Sequence, residues 1–166
     1  MKKVAVIGYS GEIDKKLEKI CFLLGKALSK KYIVLTGGRG GVMEAISKGV
    51  KSENGTCIGI LPFEEKGNAY NFLDITTGLD FQMRSFILLK NADAVISIGG
   101  EIGTAIEILG AYAYGKPLIL FNKTGGWTDT IQKVLIEGKY LDNRKIVEIK
   151  IASSIEEILK ILEDLM

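Results

Sequence analysis

Histidine is absent from this 166-residue sequence, and cysteine, proline and arginine are scarce, with 2 Cys, 2 Pro and three Arg. Without imidazole, the chain can form neither a Ser-His-Asp triad nor a zinc site that uses histidine. Cys21 and Cys57 are too few for a structural zinc site and indicate a reduced protein, not a secreted disulfide scaffold. We therefore expect no metal site, no bound cofactor and a function that proceeds without imidazole.

Long apolar runs and an excess of one charge are also missing. No run approaches the ~20 residues that a membrane-spanning helix needs, and the five residues after Met1-Lys2-Lys3 are too few for a signal peptide. The formal net charge is only +2, and no basic stripe marks a surface for nucleic acid. We expect a cytoplasmic protein that binds neither a membrane nor nucleic acid.

Apolar runs typical of strands alternate with helical patterns along the whole chain. Residues 4–7 are continuously apolar and precede Gly8, which is typical of a buried parallel strand. Further strands are predicted at residues 33–35, 57–61, 94–98, 117–121 and 146–151, each separated from the next by a segment with helical periodicity or turn residues. This order predicts a single α/β domain over residues 1–166, with a doubly wound, mostly parallel, Rossmann-like sheet and helices on both faces.

Residues 62–81 interrupt this alternation for longer than an ordinary connection does. We interpret the segment as a functional loop or an oligomer contact. The predicted helix after Gly103 carries Leu109, Tyr112 and Tyr114, which indicate an apolar face beyond what one sheet covers. That face favours a contact between subunits.

Eleven of the 20 glycines directly follow predicted strands. In a parallel sheet these turns share the carboxyl edge, where open α/β sheets bind ligands and helix N-termini attract phosphate. Tight turns would explain any one cluster, but four clusters on one edge favour a site for a phosphorylated small-molecule ligand. The predicted ligand-binding residues are Gly8, Tyr9, Ser10, Gly37, Gly38, Arg39, Gly40, Gly41, Gly99, Gly100, Gly103, Thr104 and Asn122.

Residues 100–107 form the most informative segment, whereas the standard dinucleotide fingerprint and the P-loop are both missing. Thr104 is placed to cap a helix and to bind a phosphate oxygen, and Glu107 follows one turn later. Glu107 either points into the same crevice or folds back on Thr104, since Thr-x-x-Glu is also a capping box. The spacing leaves both alternatives open.

Several residues stand in the register of a motif of the Lonely Guy family, a part of the SLOG superfamily. The family motif reads Pro-Gly-Gly-x-Gly-Thr-x-x-Glu, after an Arg-Lys helix and an Asp-Ala strand start. Residues 37–43 also resemble an earlier glycine-rich turn of the family, and the turn after the first strand and residues 122–129 fit the family as well. The resemblance therefore extends over nearly the whole chain. The matching positions of the longer motif are Arg84, Asp93, Gly100, Gly103, Thr104 and Glu107.

Lonely Guy enzymes are phosphoribohydrolases, which release a free base and ribose 5-phosphate from a nucleoside 5′-monophosphate. The resemblance implies that Arg84 and Glu107 form the catalytic pair. A carboxylate stabilises an oxocarbenium-like state and orients water, and an arginine supplies positive charge for the phosphate or the departing base. The alternative for Arg84 is a surface ion pair with Asp80, and for Asp93 it is a structural turn on the opposite edge of the sheet.

Four positions depart from the family pattern. Gly99 replaces the proline, Glu101 replaces the second glycine, and Ser85 replaces the lysine. Glu101 would repel an anion unless it points outward or binds a cation, and Arg39, where the family has a small residue, is a candidate to offset its charge. The departures place the chain on a side branch near the molybdenum-cofactor carrier proteins, so a non-catalytic carrier or sensor is the alternative function. The relatives also imply a homo-oligomer, a dimer or a tetramer.

Overall fold

Seven parallel strands form one sheet in the computed structural model, which describes residues 1–166. Their order is β4-β3-β2-β1-β5-β6-β7, so the chain reverses its direction of winding between β1 and β5. The predicted doubly wound α/β fold is therefore confirmed, and the sheet is wholly parallel. The strands are β1 (Lys3–Gly8), β2 (Ile33–Thr36), β3 (Cys57–Leu61), β4 (Leu73–Thr76), β5 (Ala94–Ile98), β6 (Leu118–Phe121) and β7 (Lys150–Ala152).

Helices cover both faces of the sheet. Successive side chains of the central strands point to opposite faces and are apolar on each, so both faces must be buried. In β1, Val4 and Val6 join a core with α1, α2 and α6, whereas Ala5 and Ile7 join a second core with α3 and α4. None of the helices is both long enough and apolar enough to cross a membrane. The helices are α1 (Lys15–Ser29), α2 (Val42–Ser52), α3 (Phe81–Asn91), α4 (Ile102–Ala113), α5 (Gly126–Thr130) and α6 (Ile155–Leu165), with a 3-10 turn at Ile131–Val134.

Strand β4 is missing from the sequence-based prediction and lies within the supposed loop of residues 62–81. All four of its residues are exposed, and Asp74 and Thr76 interrupt its apolar character. The prediction relied on continuous apolar runs, which an uncovered edge strand does not need. The strand predicted at residues 146–151 is wrong in its first four residues, since β7 begins at Lys150 and the residues before it form turns and irregular structure.

Helix α2 approaches α1 closely because each helix places a glycine at the contact. A Cβ on Gly25 of α1 would lie 2.3 Å from the Ile46 carbonyl oxygen, and one on Gly49 of α2 would lie 2.1 Å from the Phe22 carbonyl oxygen. The two backbones are therefore packed together without intervening side chains. This contact fixes the position of α2, whose first turn carries Met43 to the carboxyl edge of the sheet.

Candidate functional site

A cavity of about 280 Å³ opens at the carboxyl edge of the sheet, beside the reversal between β1 and β5. Its walls come from the end of β1 and the loop after it, the turn after β2, and helices α2, α3 and α4. The structure brings nine of the predicted site residues to this cavity: Gly8, Tyr9, Ser10, Gly37, Arg39, Arg84, Gly103, Thr104 and Glu107.

Arg84 is buried in the first turn of α3, a helix that Asp80 caps by accepting a hydrogen bond from the Met83 amide at 2.8 Å. One guanidinium nitrogen, Nη1, donates to the carbonyl oxygens of Gly37 at 2.6 Å and Ile60 at 2.7 Å. The buried Nε has no partner, and the side chain forms no ion pair, so the proposed surface pair with Asp80 is wrong. Burial lowers the pKa of Arg84, and the nearby charge of Glu107 counteracts this shift.

Glu107 lies in the same cavity and is buried on α4. The hydroxyl of Ser85 lies 2.7 Å from its Oε1, and the other carboxyl oxygen has no partner within the chain. Burial raises the pKa of Glu107 to about 7, although the Ser85 hydrogen bond and the Arg84 charge act in the opposite direction. The capping-box alternative is wrong, since Glu101 is the N-cap of α4 and Thr104, which was expected to cap the helix, lies within its first turn.

The turn after β2 is tightly packed and supports Arg84. A Cβ on Gly37 would lie 2.6 Å from Met43 Sδ and 3.0 Å from Arg84 Nη1. Asn68, from the segment before β4, donates through Nδ2 to the Arg39 carbonyl oxygen at 2.8 Å, and Asn71 donates to the Gly38 carbonyl oxygen at 3.1 Å. The long segment 62–81 thus braces this turn, as well as supplying β4.

The turn after β5 is held by α5. Gly99 and Gly100 accept hydrogen bonds through their carbonyl oxygens from the amides of Thr128 at 3.1 Å and Trp127 at 2.9 Å. Gly103, in contrast, faces open space in the cavity. Six predicted ligand-binding residues lie outside the cavity lining: Gly38, Gly40, Gly41, Gly99, Gly100 and Asn122. The functional role of these residues, and of those that line the cavity, stays a prediction.

A guanidinium–aromatic cluster forms one wall of the cavity. Arg39 lies over the ring of Phe81, 4.8 Å from its centroid, and pairs with Glu65 through Nε at 3.0 Å. Glu101 also lines the cavity but forms no ion pair, so Arg39 is engaged by Glu65 and not by Glu101. The neighbouring aromatic ring of Phe63 contacts Phe81 edge-on at a centroid distance of 5.6 Å.

Sequence reasoning missed four lining residues on α3, namely Phe81, Gln82, Ser85 and Leu88. The helical spacing of Phe81, Ser85 and Leu88 places them on the face that carries Arg84, and this periodicity was the available signal. Asp93, part of the family motif, has a structural role: its Oδ2 accepts a hydrogen bond from the Lys3 amide at 2.7 Å, away from the cavity.

Metal ligands are not assembled in this molecule. No group of three or more cysteine, aspartate or glutamate residues is placed to hold a metal ion. Burial also raises the pKa of the Cys57 thiol to about 12, so this residue does not offer a thiolate near neutral pH.

Comparison with known proteins places this geometry in context. Residues 1–159 match the model of the SLOG cluster4 family. The crystal structure of the structural-genomics protein TM1055 is 62% identical, with a TM-score of 0.96 and 99% of each chain covered. A molybdenum cofactor binding protein from the phototrophic bacterium Rippkaea orientalis is 29% identical, with a TM-score of 0.83 over 98% of this chain and 96% of that one. The molybdenum cofactor carrier protein of Chlamydomonas reinhardtii is 25% identical, with a TM-score of 0.82 over 99% and 98% of the two chains.

Proposed function

The chain belongs to the SLOG cluster4 family, and from this membership and the cavity we propose that it binds a phosphorylated small molecule with a nucleotide-like or pterin-like ring. The ligand occupies the cavity at the carboxyl edge of the sheet, with its anionic group at Arg84. The protein acts as a carrier or sensor of this ligand.

The observation that carries the proposal is the buried guanidinium of Arg84, which has no acidic partner. A buried charge is costly unless it is paired or fully hydrogen-bonded. Two carbonyl oxygens satisfy only Nη1 of Arg84, and its buried Nε has no acceptor. A phosphate oxygen is the kind of acceptor that an arginine fork binds strongly. Nη2 also has no acceptor within the chain and, unlike Nε, is not enclosed by protein, so an anionic ligand in the cavity would bind Arg84 through Nη2.

The start of α4 offers further donors to the same ligand. The amides of Ile102, Gly103 and Thr104 have no acceptor within the chain, and the Thr104 hydroxyl has no partner either. Gly103 and Thr104 both line the cavity. Since a helix N-terminus carries a partial positive charge, these groups support phosphate binding in the same cavity as Arg84.

The carrier role is supported by two of the similar structures, which are named as a molybdenum cofactor binding protein and a molybdenum cofactor carrier protein. If the cargo is such a cofactor, this chain would recognise its phosphate and ring, since no thiolate or acidic cluster is placed to contact the metal. A cargo held without a covalent or metal–ligand bond can be released intact.

Calorimetry with a panel of ligands tests the proposal. The probes are inorganic phosphate, ribose 5-phosphate, the common nucleoside 5′-monophosphates and the isolated molybdenum cofactor under anaerobic conditions. We expect Arg84→Gln to weaken binding by roughly 10–100-fold, because hydrogen bonds to a charged group contribute about 1.5–3 kcal/mol. Arg144→Gln is the matched control, since Arg144 is exposed and paired with Asp142. If no probe binds, or if both variants behave alike, the proposal is wrong.

Hydrolysis of a nucleoside 5′-monophosphate is the second candidate, and the position of Glu107 beside Arg84 favours it. A carboxyl group that titrates near neutral pH suits general acid–base chemistry. Chromatography of the same incubations detects free base and ribose 5-phosphate. Release that falls about 100-fold or more in Glu107→Gln supports the enzyme, whereas binding without release supports the carrier.

We also propose that the chain forms a homo-oligomer, a dimer or a tetramer, through the outer face of α3 and α4. Five apolar residues on these helices or directly after α4 are 38–63% exposed: Met83, Ile87, Ile102, Leu109 and Tyr114. Tyr112, which was expected on this face, is instead buried against the core. Sedimentation velocity should detect an oligomer that Leu109→Glu dissociates, and a monomeric unmodified protein would contradict the proposal.

A further inference from the structure

Glu107 is a buried carboxyl group in a cavity that provides it with little stabilisation as an anion. The charged and titratable groups that line the cavity with it are Arg84 from α3, Arg39 from the turn after β2, Glu101 from the start of α4 and Tyr9 from the loop after β1. Arg84 donates through Nη1 to carbonyl oxygens and Arg39 is paired with Glu65, so neither arginine forms an ion pair with Glu107.

The hydrogen bonding of Glu107 is equally sparse. The Ser85 hydroxyl carries one proton and has two acceptors within reach, the Phe81 carbonyl oxygen at 3.0 Å and Glu107 Oε1 at 2.7 Å. Two or three hydrogen bonds to a carboxylate strongly favour its ionised form. Glu107 has at most this one shared donor, and its Oε2 has no partner in the chain.

An anion at Arg84 would share a cavity of about 280 Å³ with this carboxyl group. Two negative charges in one cavity of this size repel each other, because the protein around them screens charge less than bulk water does. One proton placed between the two groups removes the repulsion and converts it into a hydrogen bond.

We infer that the cavity takes up its phosphorylated ligand together with one proton, which is held between Glu107 Oε2 and an oxygen of the phosphate. Ser85 is the positioning residue that orients the carboxyl group through Oε1. The inference rests on the proposed function and adds to it the proton linkage of the same site. The balance is simple: the proton comes from solvent, no covalent bond changes, and it returns to solvent when the ligand leaves.

A definite pH dependence follows from this linkage. Because burial raises the pKa of Glu107 to about 7, the carboxyl group already carries the proton below pH 7. Above that pH the proton must be taken from solvent when the ligand binds, and the affinity should fall about tenfold for each further pH unit.

Titration calorimetry in buffers with different ionisation enthalpies counts the protons that bind with the ligand. The probe is whichever of inorganic phosphate, ribose 5-phosphate and AMP binds most tightly at pH 6. At pH 6 we expect no proton uptake but a partial release, because Glu107 already carries its proton there and the phosphate, with a second pKa of about 6, carries part of another. We expect uptake that approaches one proton at pH 8.5, and a dissociation constant about tenfold larger at pH 8.5 than at pH 7.5.

Three variants identify the group that takes up the proton. Glu107→Gln should bind without proton uptake and with an affinity that no longer falls above pH 7. Ser85→Ala should move the onset of uptake to higher pH, because the Ser85 hydrogen bond lowers the pKa of Glu107. Glu156→Gln is the matched control, since Glu156 is an exposed carboxylate of α6 and should keep the linkage of the unmodified protein.

The possible failures of the two proposals are distinguishable. Binding without proton uptake at pH 8.5, or uptake that persists in Glu107→Gln, overturns the inference and leaves the proposed function standing. A protein that binds none of the probes at any pH overturns the proposed function, and the inference fails with it. Infrared difference spectra of ligand binding at pH 8.5 give an independent readout, since uptake onto Glu107 adds a protonated-carboxyl band that Glu107→Gln lacks.

Discussion

The glycine-rich turns after β2 and after β5 were predicted from the same signal, yet they differ in what their glycines do. In the first turn, residues 37–41, added side chains at Gly37 and Gly41 would collide with Met43 and with the Tyr9 carbonyl oxygen. In the second turn, residues 99–103, a Cβ on Gly100 would also collide, with the Thr104 side chain. A Cβ on Gly103, which lies at the start of α4, would meet nothing within 4 Å. Glycine in the first turn permits close packing that positions Arg84, whereas Gly103 leaves room in the cavity for a ligand.

The substitution Gly41→Ala is expected to have the largest effect on stability. Gly41 has φ +60, and its Cβ would lie 2.3 Å from the Tyr9 carbonyl oxygen and 2.4 Å from that of Gly11. The strain of an alanine at this positive φ, together with the clash between its Cβ and the two carbonyl oxygens, predicts a loss of roughly 2–5 kcal/mol in the free energy of unfolding. Urea denaturation measures the loss. Gly103→Ala, the same change in the second turn, should stay within about 1 kcal/mol, and equal losses would remove the distinction between the turns.

Glu107, in the helix after the second turn, should make the folded state less stable as the pH rises. Its pKa rises from 4.5 in the unfolded chain to about 7 in the folded one. The stabilisation is therefore fully present below pH 4.5, where both states carry the proton, and is lost as the pH rises to about 7. The total loss is roughly 3 kcal/mol. Urea denaturation of Glu107→Gln at a series of pH values should lack this part of the pH dependence. If the free energy of unfolding of the variant changes with pH as in the unmodified protein, the loss does not come from Glu107.

Alanine substitutions in the two turns should also differ in how they change stability relative to ligand affinity. Gly37→Ala should displace Arg84 or Met43, and we expect a loss of about 1–3 kcal/mol in stability together with weaker binding of the best probe. Gly103→Ala should leave stability nearly unchanged but place a methyl group in the cavity, with binding weakened roughly tenfold by about 1.4 kcal/mol. Denaturation and calorimetry on both variants check this. Normal binding by Gly103→Ala would show that the ligand does not approach the second turn.

The sequence predicted the fold well because buried parallel strands and amphipathic helices leave local patterns. Strand β4 was not predicted because all of its residues are exposed and it lacks an apolar run. Within the site, Arg84 and Glu107 were recognised from a motif, but the partner of each was not. Arg84 contacts Gly37, 47 positions away, and Glu107 contacts Ser85, 22 positions away. Whether a glycine packs or opens space likewise depends on distant segments, which spacing along the chain does not encode.

We expect the smallest loss of stability when the contact between Asn68 and the first turn is removed. Asn68→Ala removes the hydrogen bonds that Nδ2 donates to the carbonyl oxygens of Arg39 at 2.8 Å and Gly38 at 3.2 Å. It also removes those that Oδ1 accepts from Ser47 and the Tyr70 amide, but the Asn68 amide still donates to the Gly38 carbonyl oxygen at 2.8 Å. Because this region is only partly buried, water can replace the lost polar groups, and we expect a loss of about 1 kcal/mol. Asn91→Ala is the control, since Asn91 donates to the Ile87 carbonyl oxygen at an exposed helix end. Hydrogen exchange should quicken in residues 37–41 of the Asn68 variant and stay unchanged in residues 99–103, where α5 supplies the support. Equal acceleration in both turns would mean that they are coupled and not separately supported.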